Sequence, residues 1–210
     1  MQESDGEGIG EDGWVSTTRA KPWIPWAAGA LAFFITLIIG GLVVADWGFR
    51  TAEMNTIITR IEASEEAMRQ ASENVDAAFA GHSQADASPA ERAELDAELR
   101  EIAAEGRDAI EAAALPIAEV VVLPWHSAIE QAQVAYLIHN LAWQEYLDAA
   151  AADPAEFLQP QPLVDSTFLE SEQPMLAAVP LPDVLDVLSR IAAIYAPPEL
   201  EPGQTQQALA

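Results

Sequence analysis

The sequence predicts an all-α protein: a single N-terminal transmembrane helix followed by a small helical domain, a bundle or a helical hairpin, on the extracytoplasmic side. Three observations carry this expectation. Residues 24–45 hold no charged side chain and one hydroxyl, Thr36. Beyond them the chain is rich in Ala, with larger apolar residues at helical spacing. Pro and Gly divide that remainder into segments of helical rather than strand length.

Residues 1–22 are polar, acidic and Gly-containing, the composition of a disordered tail. The span is read over 23–47. Its 22 uncharged residues compare with roughly 20 needed to cross about 30 Å of hydrocarbon. Trp26 and Trp47 stand 21 residues apart, about 32 Å along a helix, which suits an aromatic belt at each interface. A buried core helix is the alternative, but no other segment is apolar enough to wrap such a cylinder. A cleaved signal peptide would find Val43-Val44-Ala45 before the cut, yet its apolar region is typically about 7–15 residues. An uncleaved signal anchor fits better.

Ala28, Ala32, Thr36 and Gly40 line one face of the span at four-residue spacing, and Gly41 and Ala45 form a second pair. Small residues so placed let two helices approach closely in lipid. The expected partners are therefore the bilayer itself and a second copy of the chain, although Gly and Ala are also common in membrane helices generally. Arg19 and Lys21 precede the span, and Arg50 and Arg60 follow it. The first pair lies nearer the lipid, and a long C-terminal domain translocates whatever its charge. That reading puts the N-terminus in the cytoplasm and the domain beyond the plasma membrane.

The chain carries a formal charge of −25. Residues 47–210 hold seven Arg and no Lys against 28 Asp or Glu, a net −21. Such a domain repels nucleic acid and anionic lipid, so nucleic acid is not among the expected partners. Basic partners are favoured, while the plain reading of the charge is a solvated surface. Ala-richness with eight Arg and one Lys points to a GC-rich bacterial genome.

Residues 48–80 continue the helix as a juxtamembrane amphipathic segment or stalk. Met54, Ile61, Met68 and Val75 recur every seven residues, with Ile57, Ser64, Ala71 and Ala78 between them. Two readings stand: a parallel coiled coil, or a helix packing on its own domain. Small and polar residues in the seam favour the second. Residues 81–88 read as a linker, and the helical soluble domain runs over 88–195. Ser88-Pro89-Ala90-Glu91 is a capping-box start, opening a helix to about Ala114 with Leu95, Leu99, Ile102 and Ile110 on its apolar side. Two successive helices suggest an antiparallel hairpin. Residues 116–124, bracketed by Pro116 and Pro124, are an extended or helical connector, strand and helix both being open.

From Trp125 to about Ala152, Ile129, Ala132, Tyr136, Trp143 and Leu147 make an aromatic-rich stripe, with His139 and Asn140 beside it. This is the expected core. Asp153-Pro154 starts a short helix or turn, a helix over about 165–173 is limited by Pro174, and another over 182–195 uses Val184, Leu185, Leu188, Ile191 and Ile194. Residues 196–210 form a Pro-rich, disordered tail.

The sequence offers little chemistry. With no cysteine there is no thiol nucleophile and no zinc-thiolate site. No Gly-rich phosphate loop, nucleophile elbow or calcium loop occurs. His126 and Glu130, four apart, offer two ligands on one helix face, or an ordinary surface pair. No catalytic, cofactor or metal residues are assigned, and the chain is not expected to be an enzyme. The leading expectation is a structural or protein-interaction role at the bacterial cell envelope, with an unidentified envelope protein as partner. The alternative is a small-ligand or peptide-binding domain with a pocket formed by Trp125, Tyr136, His139, Asn140 and Trp143.

Overall fold

The computed structural model describes residues 24–82, 88–180 and 184–196. The tail over 1–22, most of the linker and the tail from 197 onward lie outside the described residues, as does Pro182 at the start of the last expected helix. Among the described residues the chain is helical and has no strand. Its elements are α1 (Ile24–Gly81), α2 (Pro89–Ala118), α3 (Ser127–Ala152), a 3-10 helix (Pro154–Leu158), α4 (Pro162–Ala177) and α5 (Val184–Ile194).

Two units divide at Val44 and Ala45. In the first, every side chain from 26 to 44 is exposed, an apolar cylinder that the chain itself does not cover. It is long and apolar enough to cross a membrane. Thr36 satisfies its hydroxyl within the helix, donating to the Ala32 carbonyl at 2.9 Å.

In the second unit α1 changes from uniformly apolar to one-sided. Met54, Ile57, Ile58, Ile61, Ser64, Met68, Ala71 and Ala78 are buried, and Val75 is half-buried. The seven-residue seam thus faces the chain's own helices. Met54 to Ile61 pack with Ile117 of α2, Ile129 and Tyr136 of α3, Met175 of α4 and Val187 and Ile191 of α5. Further along, Met68 packs with Ala103, Ile110, Leu147 and Ala150. The ordering of these contacts makes a five-helix bundle in which successive helices run antiparallel. Each large apolar side chain so buried contributes about 1.5–3 kcal/mol relative to exposure.

The capping box forms as the sequence implies: Ser88 N–H donates to Glu91 Oε2 at 2.6 Å, and Glu91 N–H to Ser88 Oγ at 3.3 Å. Midway along α2, Gly106 sets a close approach. A Cβ there would lie 3.0 Å from Ala71 Cβ and 3.4 Å from Leu147 Cδ1, so the gap between α1 and α3 is filled by backbone.

The two prolines expected to end helices sit inside them. α2 continues through Pro116 to Ala118, and α4 continues through Pro174 to Ala177. An interior proline costs about 3 kcal/mol. In each case the next residue, Ile117 or Met175, is fully buried in the main core, and that packing offsets the cost. The freed carbonyls at the end of α2 also find donors. Arg60 donates to the Pro116 carbonyl, and Gln133 Nε2 donates to Ile117 O at 2.6 Å and Val120 O at 3.1 Å. Residues 120–123 of the connector are neither helix nor strand.

α5 buries a narrower face than expected. Val187 and Ile191, one turn apart, are buried while Leu185 is exposed. Two residues on a helix point about 200° apart, so Val187 and Leu185 cannot share a side.

Candidate functional site

Two polar arrangements stand out, one at each half of α3. The first is sealed on its inner side and open on its outer side. α1 and α3 run side by side there, bringing Ser64 against Asn140. Ser64 Oγ donates to Asn140 Oδ1 at 2.6 Å, and Asn140 Nδ2 donates to the Tyr136 carbonyl at 3.1 Å. The Tyr136 hydroxyl donates to Glu65. Tyr136 and Asn140 are fully buried, so pairing rather than solvent satisfies them. Burial drives the Tyr136 hydroxyl well above the ordinary range, with Glu65 adding to it. Burial likewise raises the Glu65 carboxyl, against the pull of the tyrosine hydrogen bond.

On the outer side of this cluster, α1, α3, α4 and α5 border a groove of about 610 Å³. Met68, Trp143, Phe168 and Ile194 give it apolar walls, and Glu62, Glu65, Glu66 and Asp165 bring carboxylates to it. Two arginines temper that charge. Arg190 reaches Glu62 at 2.7 Å, Asn55 at 3.2 Å and Thr59 at 2.8 Å, and its hydrogen bond holds the Glu62 carboxyl low. Arg69 pairs with Glu66 and Glu73. Four carboxylates against two guanidiniums leave the lining acidic.

His139 is 2% exposed and forms part of the groove wall. Its Nδ1 lies 3.2 Å from Thr167 Oγ1, and its ring sits between Tyr136 and Phe168, with centroids 5.8 and 5.1 Å away. Burial lowers its pKa to about 4, so at neutral pH this wall is uncharged.

The second arrangement lies where α1 emerges from its apolar run. His126 immediately precedes α3, its side chain making no hydrogen bond to the helix end, and is 2% exposed. Its Nδ1 is 2.6 Å from Glu53 Oε2 and its Nε2 is 3.0 Å from Asp46 Oδ1. The Leu123 N–H donates to Glu53 Oε1 at 3.1 Å, and the Trp125 indole donates to Asp46 Oδ1 at 2.7 Å. Arg50 completes the set, 3.0 Å from Asp46 Oδ2. Burial works against a charged His126, but the hydrogen bonds to Glu53 and Asp46 prevail and raise its pKa. An imidazolium donating from both nitrogens fits two carboxylate acceptors.

The expected pocket residues therefore separate. His139 and Trp143 line the groove, Tyr136 and Asn140 are sealed behind it, and Trp125 stands apart, bonded to Asp46. His126 is neither a surface residue beside Glu130 nor a ligand sharing its face: it is buried and meets Glu53 and Asp46, because α3 begins only after His126 and the ring turns toward α1. Ala28, Ala32, Thr36 and Gly40 are exposed, and a Cβ at Gly40 would meet nothing, so the small-residue face is uncovered by the chain itself. Asp46, Glu53, Glu65, Phe168 and Arg190 were not singled out from sequence. Arg190 is the first Lys or Arg after Arg107, the one local feature that sets it apart. A smaller cavity of about 320 Å³, near Phe79, His82 and Leu95, contains none of the pocket residues expected from sequence.

Comparison with family models, curated proteins and solved structures returned no match to this chain.

Proposed function

We infer that this chain is a single-pass membrane protein of the bacterial cell envelope, with a cytoplasmic N-terminus and an extracytoplasmic domain, and that it acts by binding another protein. The observation that carries the reading is the groove, where aromatic and aliphatic walls meet four carboxylates. That lining suits an extended partner segment with a Lys or Arg next to an apolar residue. The apolar side chain gains by leaving water, and the cation is drawn by a domain of net charge −21. A small cationic ligand is the second reading, since about 610 Å³ falls within the range of ordinary ligand pockets. Self-association along Ala28, Ala32, Thr36 and Gly40 belongs to the same picture of an assembling membrane protein.

Asp165 is exposed on the groove rim, so its substitution leaves the core alone. Full-length protein in zwitterionic nanodiscs would be titrated with a short peptide of alternating Lys and Leu. Binding that weakens with salt and falls about tenfold in Asp165→Lys supports the reading. Equal binding of a Glu–Leu peptide, or indifference to Asp165→Lys, contradicts it. For topology, an impermeant thiol reagent should label a single cysteine placed at Pro160 and not one at Gly10 in intact cells; labelling only at Gly10 would reverse the orientation.

A further inference from the structure

The inference concerns Trp125 and rests on the reading that α1 crosses a membrane. The headgroup layer on each side of the hydrocarbon is about 5–8 Å thick. At 1.5 Å per residue, the helix segment just beyond Ala45 occupies that layer, and Asp46 is its first charged residue. The Trp125 indole donates to Asp46 Oδ1 at 2.7 Å, which fixes the ring at this level although it lies 79 residues along the chain. His126, bridging Asp46 and Glu53, and the Leu123–Glu53 hydrogen bond hold the connector there. Yet Trp125 as a residue is 60% exposed, and Phe49 on the neighbouring turn of α1 is exposed as well.

Trp47, the sequence's own candidate for an interfacial belt, has its indole nitrogen covered and without a hydrogen-bond partner among the described residues. Trp125 presents the open ring at that level instead. A tryptophan whose N–H is satisfied and whose ring is bare matches the half-wet boundary between headgroups and acyl chains. We propose that Trp125 is a second membrane anchor: the α2–α3 connector lays its indole into the headgroup layer of the bilayer that α1 crosses, so the domain touches the membrane at two points. The acidic domain does not seek anionic lipid, so this contact is short-ranged and aromatic rather than electrostatic.

The chain contains no cysteine, so single cysteines placed at Ile38, Trp125 and Leu158 can each carry an environment-sensitive fluorophore in the full-length protein. The samples would be reconstituted in phosphatidylcholine vesicles. The label at Ile38 should be quenched by nitroxides deep in the acyl chains. The label at Trp125 should be quenched by shallow nitroxides and be about three-fold or more protected from aqueous iodide relative to Leu158. A companion measurement keeps the native ring. Intrinsic fluorescence quenched by shallow brominated lipid should lose a component in Trp125→Phe. If Ile38 is lipid-quenched while the Trp125 label is as open to iodide as Leu158, the anchor is wrong and the span stands. If Ile38 escapes lipid quenchers, the span itself is wrong and the anchor falls with it. Protection of Trp125 in native membranes but not in pure lipid would assign the ring to a protein and overturn the proposal.

Discussion

His126 and His139 stand 13 residues apart, and each is 2% exposed. Burial acts on both in the same direction, against the charged form. At His139 only a backbone hydrogen bond at Val164 opposes it: the ring meets Thr167, Tyr136 and Phe168, no carboxylate answers the burial, and its pKa falls to about 4. At His126 two carboxylates answer the same burial, and its pKa rises. Equally low exposure thus goes with a neutral wall at the groove and with a favoured imidazolium between Glu53 and Asp46. The two differ in surroundings and in depth: His139 lies deeper among packed side chains with no carboxylate beside it, and His126 has two.

The largest expected effect follows from His139. Its folded pKa lies below the ordinary value of about 6.5, so the unfolded chain binds the extra proton. Stability is full above that ordinary value and is lost as pH falls toward 4, by about 3 kcal/mol over the interval. Urea unfolding at stepped pH should show this slope, and His139→Phe, which keeps an aromatic ring among its neighbours, should flatten it. A slope unchanged in His139→Phe would assign the acid sensitivity elsewhere.

His126 has the opposite sign. Its contribution is full below the ordinary pKa and is lost as pH rises through the raised folded value. His126→Ala leaves Glu53, largely buried, without its charged partner, and should cost about 2 kcal/mol in unfolding at pH 6. Asp46 is more exposed and adds little. Glu53→Gln keeps the shape and removes the charge, for about 1 kcal/mol and a lower His126 pKa. Thr167→Val, which strips the polar neighbour from His139, should cost under about 1 kcal/mol and leave the acid slope in place.

How much of this contrast the sequence disclosed differs by element. The apolar run, the seam from Met54, the Ser88 cap and the aromatic stripe of α3 rest on local pattern, and each took the helical form that pattern implies. The ends of α2 and α4 are not legible locally, because proline's local cost takes no account of Ile117 and Met175, whose burial depends on helices far away in sequence. Nothing local to His126 says that Asp46 and Glu53, more than 70 residues earlier, would meet it. The groove was half visible: His139 and Trp143 belong to the stripe, whereas Glu65, Phe168 and Arg190 arrive from three other helices.

The most direct test is a histidine-resolved titration of the full-length protein by nuclear magnetic resonance, with signals assigned by single His→Gln replacements. The account expects the His126 imidazole to titrate above the ordinary value of about 6.5 and the His139 imidazole near 4. Two rings titrating together near the ordinary value, or His139 titrating above His126, would contradict it.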